Sequence, residues 1–183
     1  MAANVKKSFK KWSVVLVILA AVVICVVVMY YGREYLFGTR PSEQGNHFAI
    51  YLVGDSRHMS NVEKAPLARL KLDAEPILSD DDIIEYEWNT HTIKLSPASM
   101  GRMKERLGSK TVVPFVVVAN GKRCYRGAFL SHLSSYIPRG PSIWYDVTPE
   151  NAIKISQMVS AGAEDLRNDA RVRKALRELG VLK

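Results

Sequence analysis

The stretch Val112–Arg126, VVPFVVVANGKRCYR, decides the fold class. Val112 to Ala119 is apolar without polar alternation, the pattern of a central strand covered on both faces. Asn120-Gly121 is a two-residue hairpin turn, and Lys122 to Arg126 returns as the partner strand.

Upstream, His47 to Val53 (HFAIYLV) reads as a strand ending at the turn Gly54-Asp55. Ser56 to Ala65 is polar, a loop or short helix, and the alternation of Leu67 to Leu72 predicts a further strand. Ser79 before Asp80, Asp81 and Asp82 marks the start of a short helix, with the carboxylates at its positive end. Glu85–Trp88 and Thr92–Leu95 flank a turn at Asn89-Thr90-His91, so Tyr86 and Trp88 can meet Ile93 and Leu95. Ser96 and Pro97 open a helix to about Leu107, with Met100, Met103 and Leu107 as its apolar stripe.

Downstream, Ser131 to Pro141 is turn-rich, and Ser142–Val147 and Ala152–Ile155 are short strand candidates. Ser160 to Leu179 predicts a C-terminal amphipathic helix, with Ala163, Leu166, Ala170, Val172, Leu176 and Leu179 inward and Gly180 as its stop. Strands and helices in irregular order, joined by antiparallel hairpins, make the class α+β.

A different kind of segment precedes this domain. Ser13 to Tyr31, SVVLVILAAVVICVVVMYY, runs nineteen residues without a charge. As a helix it is about 28 Å long, close to the hydrocarbon thickness of a bilayer. Its Val, Leu and Ile residues are worth roughly −4 to −7 kcal/mol of insertion free energy. Trp12 and the pair Tyr30, Tyr31 stand where interfacial aromatics belong. Lys6, Lys7, Lys10 and Lys11 precede the run, so the positive-inside rule puts residues 1–12 in the cytoplasm and the domain outside it. A cleaved signal peptide would have a shorter apolar core and a small-residue cleavage site. An acylated Cys25 would need a small residue where Ile24 stands. The expected organisation is a basic tail at 1–12, a transmembrane helix at 13–31, a linker at 32–46, an α+β domain at 47–157 and a helical C-terminus at 158–183. The expected location is the inner membrane of a bacterial cell.

The chain carries a formal charge of +8, but its distribution argues against nucleic-acid binding. The four N-terminal lysines supply +4, residues 44–150 only +1, and residues 151–183 +3. A nucleic-acid interface needs a concentrated basic face, which the folded middle lacks. Of the two cysteines, Cys25 lies within the apolar run and so cannot pair with Cys124.

The run Pro76 to Tyr145 resembles the first periplasmic domain of the SecD/SecDF export proteins. The likeness is carried in order by PILSDDDI, by TIKLS leading into a helix, by PFVVVANGK with its hairpin, and by a downstream proline before another strand. HFAIYLV followed by this module also resembles small membrane-anchored bacterial proteins. The resemblance implies an extracytoplasmic head that touches other polypeptides. Proton-driven export in that family requires several membrane helices, and this chain shows one, uncharged within.

Chemistry-bearing residues are scattered. Asp80, Asp81 and Asp82 point in different directions at a helix start and lack an EF-hand glycine or distal glutamate. His47, His58, His91 and His132 have no ligand spacing, so no metal and no cofactor are expected, and His91 in its turn reads as solvated. Ser131, Ser134 and Ser135 lie near His132 without a nucleophile elbow or an evident orienting carboxylate. Cys124 alternates with Lys122 and Arg126. On their polar face its pKa would fall and it could form an intermolecular disulfide, one route to a homo-oligomer. Tyr125, Phe129, Tyr136, Arg139 and Trp144 bracket the turn-rich loop and are the candidates for a protein-contact surface, the alternative being that Tyr125, Phe129 and Trp144 are core. Arg167, Arg171, Arg173, Lys174 and Arg177 give the last helix a basic face, either solvated or on anionic lipid. The expectation is a non-enzymatic, membrane-anchored interaction module for a protein or envelope component. The alternatives are an enzyme with a site assembled from dispersed residues and an accessory subunit bound through its anchor.

Overall fold

The computed structural model describes residues 47–54, 59–158 and 164–183. The chain divides into two units, Met1–Arg40 and Pro41–Lys183, and all described residues belong to the second. The expected tail, anchor and linker, with Cys25, His58 and the 160–163 segment, lie outside the described residues.

The domain is α+β with two sheets. The first has the order β1 (Phe48–Leu52), β4 (Val112–Ala119), β5 (Lys122–Leu130), β6 (Ser142–Trp144), and the second β2 (Ile83–Glu87), β3 (Thr92–Leu95), β7 (Ala152–Lys154). The neighbours are antiparallel except β5 and β6, which run parallel. β4 is the interior strand expected from its composition. It pairs with β1 on one edge and β5 on the other, and all its residues after Val112 are buried. The Asn120-Gly121 turn has φ of 47° and 70°, the left-handed pair of a type I′ hairpin.

Alternation along β1 and β4 separates two cores. Phe48, Ile50, Leu52, Phe115 and Val117 face a large cluster that takes in both sheets. Ala49, Tyr51, Val116 and Val118 face a smaller one completed by Val62, Leu70 and Leu72. Helix α1 (Met59–Lys64) and a 3-10 turn at Leu67–Arg69 cover this second face. The strand expected over Leu67–Leu72 is therefore absent. Pro66 precedes the segment, which closes a 3-10 turn through the Leu70 N–H to Leu67 carbonyl bond, and only Leu72 forms a β-bridge, to Val53 just past the end of β1.

Helix α2 (Pro97–Leu107) starts where its cap and proline place it. The Ser99 N–H donates to Ser96 Oγ at 3.1 Å, and Met100, Met103 and Leu107 are buried in the larger core. Burial of each such side chain is worth about 1.5–3 kcal/mol. Helix α3 is shorter than the sequence implies. It spans Ala170–Leu179 with Asp169 as its cap, because the Asp169 carboxylate accepts the Arg171 N–H at 2.8 Å. Val172, Ala175 and Leu176 are buried, Leu166 and Ala170 are exposed, and Gly180 ends the helix at φ 79°. Beyond it Val181 and Lys183 exchange backbone hydrogen bonds with Tyr86 and Trp88, extending the second sheet past β2.

The expected helix start at Asp80–Asp82 is a single 3-10 turn, and its carboxylates diverge. Asp80 accepts the His47 and Phe48 N–H groups, both at 2.7 Å, and so holds the start of β1. Asp82 accepts from the Ser79 N–H at 2.8 Å and pairs with Arg102. Burial alone would raise the Asp82 pKa, but the hydrogen bonds from Ser99 and Ser79, with Arg102, hold it below the usual carboxylate value.

Gly127 in β5 marks a close approach. A Cβ there would lie 2.8 Å from Phe115 Cε2, and closer still to Phe115 Cζ and the Pro141 carbonyl oxygen. Gly127→Ala is expected to lower the unfolding free energy by about 1–3 kcal/mol in urea titration. An unchanged midpoint would show that Phe115 and the Pro141 turn can yield.

Candidate functional site

A register break in β5 organises the surface around Cys124. Val117 faces Tyr125 but Val118 faces Arg123, so Cys124 is an extra, bulged residue. The bulge overturns the alternation inferred from sequence. Cys124 packs against the larger core beside Tyr125, whereas Arg123 and Arg126 share the opposite face. Burial pushes the Cys124 thiol up to about 11, with Asp169 adding to the rise and Arg171 opposing it. The activated thiol expected from neighbouring cations is thus corrected.

The two arginines organise the second face. Arg126 Nη1 donates to the carbonyls of Val62, Glu63 (3.1 Å) and Ala65 (2.7 Å) at the C-terminal end of α1. Arg123 Nη1 donates to those of Leu67 (2.9 Å), Ala68 (3.2 Å) and Leu70 (2.7 Å). Each guanidinium closes the carbonyl-rich end of a short helical segment that has few residues to stabilise itself.

The position of α1 creates a cleft of about 420 Å³ between its last turn, β5 and the 136–141 loop. Met59, Ala128, Pro138, Pro141 and Leu166 give it apolar walls, while Glu63, Lys64, Arg126, Tyr136 and Arg139 supply its polar atoms. Tyr136 spans the cleft, donating its hydroxyl to Glu63 Oε1 at 2.5 Å. Burial first, and that hydrogen bond second, raise the phenol to about 12. Lys64 and Arg139 make no ion pair among the described residues.

The loop rimming the cleft is held from within. His132 donates its backbone N–H to Asp146, both oxygens at 3.0 Å, and its Nδ1 lies 2.7 Å from Asp146 Oδ2. Burial works against the Asp146 charge, yet the hydrogen bonds from His132 leave its pKa lowered. Leu133 N–H donates to Ser131 Oγ, and Tyr136 N–H to Ser134 Oγ. These contacts commit the Ser131 and Ser134 oxygens and the His132 imidazole to the shape of the loop. Even so, the loop turns Leu133 and Ile137 outward, at 73% and 78% exposure.

Of the five residues singled out for contact, the structure brings Tyr136 and Arg139 together in the cleft. Tyr125 and Phe129 are 3% and 0% exposed and belong to the larger core, which removes them from any contact surface. Trp144 is half-buried at the end of β6, opposite Leu130, and does not line the cleft. Glu63, Lys64 and Leu166 escaped sequence reasoning because nothing local links Glu63 to Tyr136, 73 residues apart. The basic side chains of the C-terminal segment are largely partnered. Arg167 and Arg171 bind Asp165 and Asp169, Lys174 lies 3.7 Å from Glu178, and Arg173 stacks over Trp88 at 5.5 Å.

Among the described residues no group of His, Cys, Asp and Glu is placed to hold a metal ion, and no helix is long and apolar enough to cross a membrane. No protein family, curated protein or solved structure matches the chain.

His91 is buried, not solvated. It is 4% exposed, adopts φ 53°, and its Nδ1 lies 3.2 Å from the Tyr86 hydroxyl. Burial, reinforced by Arg167, pushes its pKa below the usual histidine value. The unfolded chain therefore takes up a proton near pH 6.5 that the folded chain refuses. The His91 contribution to stability is expected to fall away as pH drops below about 6.5 and to level off below its folded pKa, and His91→Asn, which keeps a residue tolerant of positive φ, to flatten that part of the profile. Thermal melts between pH 7 and 5 check this. A second measurement tests the thiol: Cys124 should react with iodoacetamide at pH 8 many times more slowly in the folded chain than in urea.

Proposed function

We propose that the chain is a single-pass membrane protein whose α+β domain lies outside the cytoplasm and binds a protein or envelope component. Its anchor is Ser13 to Tyr31, with the four lysines before it setting the orientation. The contact site is the cleft and its rim. The observation that carries this reading is the 131–141 loop: it is held by hydrogen bonds to Asp146 and within itself, yet keeps two large apolar side chains in solvent. A loop already ordered loses little further entropy on binding, and the Leu and Ile that it exposes gain from being covered. The resemblance of Pro76–Tyr145 to a periplasmic head that touches polypeptides accords with this role.

Photo-crosslinking in intact cells tests it. The full chain carrying p-benzoylphenylalanine at Ile137 is expected to give a reproducible adduct, whereas the same group at Lys104, exposed on α2, gives none. An adduct of twice the chain mass would make the partner a second copy. No adduct from Ile137 would sink the proposal. Exchanging residues 13–31 for an unrelated membrane helix should leave the adduct in place; its loss would favour an accessory subunit bound through the anchor.

A further inference from the structure

The cleft's charges bear on what it holds. Arg126 is committed to three carbonyls of α1, and the Glu63 carboxylate to the Tyr136 hydroxyl. The remaining ionic groups of the lining are Lys64 and Arg139, both cationic, both exposed, and without an ion pair among the described residues. The walls between them are apolar, and the loop that supplies Tyr136, Pro138 and Arg139 to the cleft also carries the exposed Leu133 and Ile137. An occupant that satisfies the apolar walls and the two cations carries an apolar side chain next to a carboxylate.

Resting on the proposed function, we infer that the partner is a polypeptide segment with an acidic residue beside an apolar one. The apolar side chain enters the cleft against Leu166, Pro138 and Met59. The carboxylate pairs with the Arg139 guanidinium, whose fork accepts it in two-point fashion, with Lys64 as a second cation. A basic segment would place its own cations against Arg139 and Lys64, so the site discriminates by charge as well as by shape.

The test uses the full chain in nanodiscs and a phage-displayed library of random dodecapeptides. Selected sequences are expected to pair Asp or Glu with a neighbouring Leu, Ile, Met or Phe. Arg139→Glu should weaken a selected peptide by about tenfold or more in fluorescence anisotropy, the scale of one lost ion pair near a surface plus the repulsion that replaces it. Reselection on that variant should enrich basic peptides. Lys64→Glu gives an independent second arm, and an unchanged melting midpoint confirms that each variant is folded. Selected peptides without an acidic residue, or peptides indifferent to both variants, overturn the inference, as does failure to enrich any peptide. Those results would leave an adduct from Ile137 untouched, so the loss of this inference and the loss of the interaction role are read separately.

Discussion

Everything in this domain is referred to one strand. β4 is hydrogen-bonded along both edges and covered on both faces, so no part of its backbone or side chains is left to water beyond its ends. Such a strand requires four neighbours of the right kind: two partner strands and two apolar layers. The tight turn after Ala119 delivers one partner, β5, with minimal loop entropy. The second sheet with α2 and α3 supplies one layer, and α1 with its following 3-10 turn supplies the other.

The second layer is thin, and its construction explains the surface. α1 has only six residues, too short to persist on helix propensity alone. It is held by Val62 packing on β1 and β4 and by Arg126 closing its carbonyl end. The bulge at Cys124 is what puts both Arg123 and Arg126 on this face. One inserted residue thus couples the interior of β5 to the position of α1, and the position of α1 forms one wall of the cleft. Gly127 allows the Pro141 turn to close against β5 and form the opposite side. The same device packs Cys124 against the larger core, where partial burial raises its thiol pKa.

Much of the architecture was legible in the residue order. The β4–β5 hairpin, the capped helix from Pro97, the Tyr86–Ile93 pairing and the Gly180 stop all depend on neighbours within a few positions, where local sterics and periodicity act. The errors share one cause. Leu67–Leu72 alternates like a strand, but the outer edge of β1 is met at Ile50 by Ile77 and Leu78, and within the segment only Leu72 forms a bridge, to Val53. His91 sits in a hairpin turn, where exposure is the ordinary expectation, yet Trp88 and the Tyr86 hydroxyl close over it. Tyr125 and Phe129 border a loop in the sequence but lie on the inner face of the sheet.

By itself, then, the sequence determined the uncharged nineteen-residue apolar run, the distribution of charge away from the folded middle, and the existence and type of most elements. These are properties of contiguous residues and of the dihedral preferences that link them. Only the tertiary structure decided which face each residue occupies beyond the bulge, which aromatics are core, and that Glu63, Tyr136, Arg139 and Leu166 line one cleft. A single extra residue in one strand inverts the side-chain alternation that follows it, and the chain carries no local mark of where its partner strand will force that insertion.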